Sequence, residues 1–406
     1  MPSCTGKVKA SLVPTCRMQD VVIVGGGVIG MTAALELAHR GYAVTVFDQQ
    51  QIGQEASWAG AGMLPPGQIT GPASIRQLAK LSASMWPELS RQLYESTGID
   101  NGYRQSGSIN VSLANESELP GCVEQWRAES VSVEVLHSPE LHDQFSFLTK
   151  QCCYCFHLPE MSQVRNPRHL QALKQACVQR DVRIMENTPV TGWSVDADRI
   201  TAVQTQQGST SADMYLLTAG AWTSEILNSV GIEFEILPIR GQIVLLKSPQ
   251  PLFTHLIEDG PRYLVPRDDG HILIGSTEEE VGFVKATTIS GVTELMRFAS
   301  DLVPSIRSAE VVRAWSGLRP KAKRGVPAIG PVTPFTNLYL ASGHFRDGLA
   351  QSPATAQVVA DLMEGKQPAI ETEDFLPRTA IESQSGRLSV TQLTSALSVN
   401  QAGERK

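Results

Sequence analysis

The chain has 406 residues, 42% of them hydrophobic, with 33 glycines, 34 Lys+Arg against 41 Asp+Glu and a formal net charge of -7. That composition excludes a disordered chain, and the acidic balance argues against a phosphate backbone as the main partner, so no nucleic acid is expected. At roughly 150 residues per domain, the length suggests two or three structural units.

Residues 1–19 carry Lys7, Lys9 and Arg17, no acid and two prolines. They lack the apolar stretch of a secretory signal, and the prolines spoil the amphipathic helix of a transit peptide. A translation start at Met18 is an equal alternative, and the segment is set aside as an N-terminal extension without order. Val21–Val24 then reads as a buried parallel strand. It enters Gly25-Gly26-Gly27, Val28 to Arg40 reads as a helix with Gly41 at its C-cap, and Ala43 to Phe47 is the next strand, ending at Asp48. The most apolar stretch, Val21 to Ala38, is broken by glycines and by Glu36, so no membrane span is expected.

Gly25, Gly27 and Gly30 form G-x-G-x-x-G inside this βαβ unit of about 30 residues, and Asp48 follows about 20 residues on. Gly25 permits the tight turn, Gly27 lets backbone N–H groups approach a pyrophosphate, and Gly30 lets the helix pack close to the strand. The pyrophosphate would sit on the helix N-terminus and Asp48 would take a ribose hydroxyl. This unit alone does not distinguish NAD from FAD.

Cys152, Cys153 and Cys155 crowd around Tyr154 and invite a metal reading. A four-ligand site needs a second well-spaced pair, which only His157 could begin to supply, so a buried strand with reduced thiols is preferred and no metal is expected. Reduced thiols fit a cytoplasmic location. Further on, Val190–Val195, Ile200–Thr205 and Asp213–Thr218 read as an antiparallel meander running into the small residues Thr218 to Ala221. Gln242–Lys247, Tyr263–Pro266 and Ile272–Gly275 give another sheet, with Asp268-Asp269-Gly270 as a hairpin turn. Leu338–Ala341 is a strand leading to Ser342-Gly343-His344, and Pro353–Glu364 a helix closed by Gly365. The segment after Phe375 is rich in Ser, Thr and Gln and reads as a polar tail.

Four stretches in order, VVIVGGGVIGMTAALELAHRG, EASWAGAGML, AWSGLRP and GHFRDGL followed by SPAT, make the sequence resemble the D-amino-acid oxidase superfamily of FAD enzymes, and within it the glycine oxidase family of thiamine biosynthesis. The resemblance runs from Val21 to Thr355. It implies an α/β (α+β) chain, with a Rossmann-like FAD-binding domain and a smaller antiparallel-sheet substrate domain, each discontinuous in sequence. The FAD-binding domain would collect residues 20–100, 158–237 and 317–377, the substrate domain 101–157 and 238–316, leaving 378–406 as the tail.

By similarity, Val28, Ile29, Asp48 and Gln49 line the adenosine and pyrophosphate side, and Val190 touches the adenine end. Ala56, Ser57, Ala61, Gly62 and Met63 approach the flavin. His344, Phe345, Arg346, Asp347, Gly348, Leu349 and Ala350 wrap its ring and ribityl chain. The substrate would be a small amine or amino acid. Its carboxylate would lie on Arg319 of the GLRP motif, because a guanidinium binds a carboxylate in two parallel hydrogen bonds. Tyr263 would add a hydroxyl, and Arg346 a second group on the substrate side. The resemblance further implies hydride transfer to flavin N5, O2 as acceptor with release of H2O2, and a homo-oligomer. Covalent-flavin relatives use a cysteine near the GLRP region; Gly317 stands here, so noncovalent FAD is expected. Two departures bear on substrate preference: Asp347 where Asn is common, and the basic run Lys321-Ala322-Lys323-Arg324, read as a solvated loop.

Overall fold

The computed structural model describes residues 19–114, 116–378 and 380–381; the expected N-terminal extension and polar tail lie almost wholly outside them. In chain order, β1 (Asp20–Val24), α1 (Val28–His39), β2 (Ala43–Phe47), the one-turn α2 (Ala56–Ala59) and α3 (Ala73–Thr97) come first. β3 (Ser108–Val111), α4 (Leu119–Ala128), β4 (Glu134–His137), β5 (Tyr154–Leu158) and α5 (Asn166–Val178) follow. Next are β6 (Arg183–Met185), β7 (Val190–Asp196), β8 (Arg199–Thr205), β9 (Gly208–Thr210) and β10 (Met214–Leu217). The last third holds β11 (Ile236–Lys247), β12 (Leu256–Asp259), β13 (Arg262–Pro266), β14 (His271–Gly275), α6 (Ile289–Leu302), β15 (Glu310–Ala322), β16 (Ala328–Pro331), β17 (Leu338–Ser342) and α7 (Ser352–Met363).

The first sheet has six strands in the order β16-β17-β10-β1-β2-β6, parallel except for β16. Its central strand reads as continuous apolar sequence because both faces are covered. Val21 and Ile23 face a core formed with α1, α5 and α7, whereas Val22 and Val24 pack with Trp193, Tyr215 and Leu340. Crossing from β1 into α1 places the glycine turn at the carboxyl end of the sheet, where ligands bind in doubly wound folds.

The expected meander is corrected by the topology. β7 and β8 do pair antiparallel, but the third strand of that small sheet is β9, and Met214–Leu217 lies instead between β1 and β17 in the parallel sheet. The reason is burial: Tyr215, Leu216 and Leu217 are all fully buried, which a meander strand with one wet face would not require.

The second sheet has eight strands, β15-β11-β14-β13-β12-β3-β5-β4, antiparallel except at β12–β3. One face carries the core of Val244, Ile257, Leu264 and Ile274 under α6; the other, with Ile243, Tyr263, Val265 and Leu273, turns toward the first sheet. Long β11 and β15 pair along their whole length and cross the expected domain breaks at 237/238 and 316/317. Cys152 and Cys155 are buried, with their thiols pushed up to about 12 by desolvation, while Cys153 is exposed. Among the described residues no three His, Cys, Asp or Glu could share a metal, and no helix is long and apolar enough to cross a membrane.

Candidate active site

Between the two sheets lies a cavity of about 1040 Å³, large enough for a dinucleotide cofactor and a small second ligand. One end is the glycine turn. Gly25 has φ +113° and its N–H donates to the Phe47 carbonyl at 2.8 Å; a Cβ there would stand 2.5 Å from the Thr218 carbonyl oxygen. Gly27 caps α1 without a side-chain partner, the first turn of α1 carries no acid, and the Val28 N–H donates to Ser57 Oγ at 2.9 Å. The positive end of the helix therefore opens on the cavity, a natural seat for phosphate oxygens. Gly30 does not line the cavity. Its place is beneath the turn, where a Cβ would stand 2.0 Å from the Gly25 carbonyl oxygen.

Asp48 lines the cavity with its carboxylate already engaged: Oδ2 accepts the Gly26 N–H at 2.7 Å and Oδ1 the Gln50 N–H at 2.8 Å. Each oxygen keeps a free lone pair for a ribose hydroxyl. Burial raises its pKa, while the two N–H groups oppose the rise. Gln49, Ala56, Ser57, Ala61, Gly62, Met63 and Val190 line the cavity with it, as do Val28, Ile29 and the whole run His344 to Ala350. The His344 ring is turned away to Thr355, with Nε2 and Oγ1 3.0 Å apart, and burial lowers its pKa to about 3, so it is neutral.

At the far end are the three residues expected to meet the substrate, and all three line the cavity. Arg319 turns back over its own sheet. Its guanidinium donates to Ser276 Oγ at 2.6 Å and to the Thr277 carbonyl at 3.2 Å. It lies flat on Gly241, where a Cβ would stand 2.1 Å from Nη2. Tyr263 occupies the matching space above Gly275, where a Cβ would be 2.4 Å from the ring and hydroxyl, and its hydroxyl interacts with Arg319. Desolvation and the neighbouring Arg346 lower the Arg319 pKa, Tyr263 and Glu278 oppose the fall, and among the described residues no carboxylate lies in ion-pair contact with it. Arg346 is more exposed: it donates to the Pro261 carbonyl at 2.7 Å and faces Glu278 at 3.7 Å.

Sequence reasoning passed over several residues of this site. Arg267, at the end of RYLVPR, is 7% exposed and donates to Gln163 Oε1 at 2.6 Å, the Val164 carbonyl at 3.0 Å and the Ala61 carbonyl at 2.7 Å. It thus fastens the Ala61 loop to the second sheet, and desolvation lowers its pKa to about 9. Gly241 and Gly275 were legible in principle, since a glycine inside a strand marks a close approach. Glu258 and Asn110, which also line the cavity, gave no local signal. The basic run is corrected in part. Lys323 is exposed and pairs with Glu235, but Arg324 donates to the carbonyls of Pro327, Asp374 and Leu376 and pins the C-terminal segment.

FAD fits this cavity on its donor set: a helix start with no acid in its first turn for the pyrophosphate, a carboxylate with free lone pairs for the ribose, and glycines at 25 and 27 that let the backbone come close. Gly317 also lines it, and a side chain there would collide with Ala59, 2.6 Å from the added Cβ.

Known proteins point the same way. The sequence matches the family described as FAD dependent oxidoreductase over residues 20–362. It is 35% identical over 363 residues to a glycine oxidase of Pseudomonas putida, spanning 88% of this chain and 98% of that protein. A bifunctional protein ThiO/ThiG of Trichormus variabilis is 31% identical over 352 residues, which are 85% of this chain and 52% of that protein. The crystal structure of glycine oxidase from Geobacillus kaustophilus matches with a TM-score of 0.84 at 31% identity, covering 89% of this chain and 99% of that one. The family match takes in the glycine turn, Asp48, Tyr263, Arg319 and the His344–Ala350 loop together, and the chain belongs to the FAD-dependent oxidoreductase family.

Proposed function

We propose that the protein is an amino acid oxidase that deaminates glycine or another small amine or amino acid and serves thiazole formation in thiamine synthesis. One observation carries the reading. Arg319 is a desolvated guanidinium beside the flavin-facing residues, seated on neutral oxygens, with no carboxylate in ion-pair contact among the described residues and Glu278 acting on it only from longer range. A desolvated, half-buried cation gains from a close counter-charge, and a substrate carboxylate supplies one in the bidentate geometry a guanidinium prefers. The glycine oxidase and ThiO/ThiG relatives support the substrate class and the pathway.

Arg319 and the Tyr263 hydroxyl hold the carboxylate, and the seat on Gly241 fixes the guanidinium plane, so the α-carbon is presented in one orientation. FAD, held by the glycine turn, the start of α1 and Asp48, would supply a two-electron acceptor at flavin N5 for the substrate's α-hydrogen as hydride, with O2 as the terminal oxidant and H2O2 as its product. Water then hydrolyses the product imine. Among the described residues no cysteine lines the cavity, which supports a cofactor held without a cysteinyl bond; heating the protein should release free FAD. In this reading residues 20–100, 158–237 and 317–377 serve the cofactor and 101–157 and 238–316 the substrate.

The test is peroxide release by the FAD-loaded protein with glycine, sarcosine, D-alanine, D-proline and an L-amino acid. Strongest peroxide with glycine or sarcosine supports the reading. Flavin bleaching without peroxide moves it to a dehydrogenase with another acceptor. Arg319→Ala should lower kcat/KM by about 1.5–3 kcal/mol, the scale of hydrogen bonds to a charged group, and unchanged kinetics would remove Arg319 from substrate binding.

A further inference from the structure

Two guanidinium groups serve the substrate end of the cavity, and a substrate with one carboxylate engages only one of them. Arg319 and Arg346 both line the cavity, and the charge of Arg346 is close enough to act on Arg319. Two cations on one space favour a ligand with two carboxylates unless the protein itself matches one of the charges.

The segment that directly follows β14 meets both arginines, in different ways. Ser276 Oγ and the Thr277 carbonyl accept from Arg319 at 2.6 Å and 3.2 Å. The next residue, Glu278, stands with Oε2 3.7 Å from Arg346 Nη1. Nη2 of Arg346 donates to the Pro261 carbonyl at 2.7 Å, which holds the guanidinium beside Glu278. Arg319 is thus met by neutral oxygens and keeps its charge for a ligand, whereas Arg346 is met by a carboxylate.

Glu258 and Asp347 also feel the charge of Arg346, but burial raises the pKa of each and favours its neutral form. Among the described residues Glu278 is the one carboxylate in ion-pair contact with Arg346. Glu278 is not part of the cavity wall, so it acts on a ligand through Arg346 and through its field on Arg319.

We propose that Glu278 is a specificity-determining residue that matches the site to a single carboxylate. By pairing with Arg346 it leaves Arg319 as the free guanidinium, so amines and amino acids with one carboxylate are accepted and a second carboxylate is turned away. The proposal rests on Arg319 as the carboxylate anchor.

Titrating the FAD-loaded protein with malonate against malonamate, and with succinate against succinamate, tests it without turnover, read from the flavin absorbance spectrum. The members of each pair are nearly equal in size and differ by one negative charge. In the wild type the dicarboxylate should bind no more tightly than its monoamide. Glu278→Gln should raise the ratio of dicarboxylate to monoamide affinity about three- to fivefold, the upper part of the range for a part-exposed ion pair. Adding Arg346→Gln to that variant should remove the gain. The ratio cancels any general loss of folded protein. A wild type that already prefers the dicarboxylates overturns the proposal, and so does a ratio unchanged in Glu278→Gln. A gain that survives in the double variant would also overturn it, because the effect would then not pass through Arg346. Monoamide affinities unchanged in Arg319→Ala would instead overturn the anchor itself.

Discussion

Gly241→Ala is a sharp test of the site because it leaves every polar group in place and moves only the seat of Arg319. The added Cβ would stand 2.1 Å from Nη2 and 2.3 Å from both Cζ and Nη1. Carbon and nitrogen in ordinary contact sit about 3.5 Å apart, so the guanidinium must rise by about 1.4 Å. That movement breaks its 2.6 Å bond to Ser276 Oγ and its 3.2 Å bond to the Thr277 carbonyl, or tilts the plane that faces the carboxylate. A misplacement near 1 Å can cost about 100-fold, or about 2.7 kcal/mol, which is within the range expected for removing Arg319 outright. Stability should change little. The group that yields is the far end of a flexible side chain, and alanine inside a strand is about 0.5–1 kcal/mol better than glycine. The assay is steady-state kinetics with glycine beside a thermal melt of the FAD-loaded variant. Flavin content and Tm close to wild type with kcat/KM down about 100-fold is the expected result. A kcat/KM within about threefold of wild type would refute the argument that Arg319 works from this seat.

Two further predictions concern the cofactor side and the core. Gly30→Ala would place a Cβ 2.0 Å from the Gly25 carbonyl oxygen and 2.6 Å from Thr218 Oγ1. Backbone cannot yield there, so the variant should lose about 1–3 kcal/mol of stability and purify with little flavin; yellow protein with an unchanged Tm would contradict this. His169 and His344 are buried neutral, each with its pKa lowered to about 3 by desolvation. The unfolded chain takes up these two protons below about pH 6.5 and the folded chain does not, so stability is present above that pH and falls as pH drops toward 3. Between pH 7 and pH 5 the loss should be about 2 kcal/mol per histidine, measured by denaturant unfolding of the FAD-loaded protein, and His169→Gln should remove about half of it. A flat profile over that range would show that the rings are protonated in the fold.

The stretches legible in the sequence are those whose chemistry is local. The glycine turn, α1 and Asp48 are consecutive in one βαβ unit; Gly25 and Gly30 are dictated by contacts within that unit and with Thr218, while Gly27 faces Ser57. Arg319, Tyr263 and the His344–Ala350 loop were found through resemblance over the chain, since nothing in their local spacing says that they meet. The meander was misread because Gly208–Thr210, passed over as part of a turn, is itself the third strand, and Asp213–Thr218, next along the chain, was taken for it. Met214–Leu217 went to the parallel sheet because burying three large side chains on both faces outweighs continuing a wet hairpin.

The sequence by itself determined the cofactor class and the two kinds of sheet, and it nominated Arg319 as the arginine for a substrate carboxylate. Only the tertiary structure decided that Arg319 is seated on Gly241 without an ion-pair partner among the described residues, that Arg267 holds the Ala61 loop, and that Glu258 stands beside Tyr263. The physical reason is that each of these depends on strand register across β11 to β15, a long-range choice set by packing both faces of an eight-stranded sheet rather than by any short run of residues.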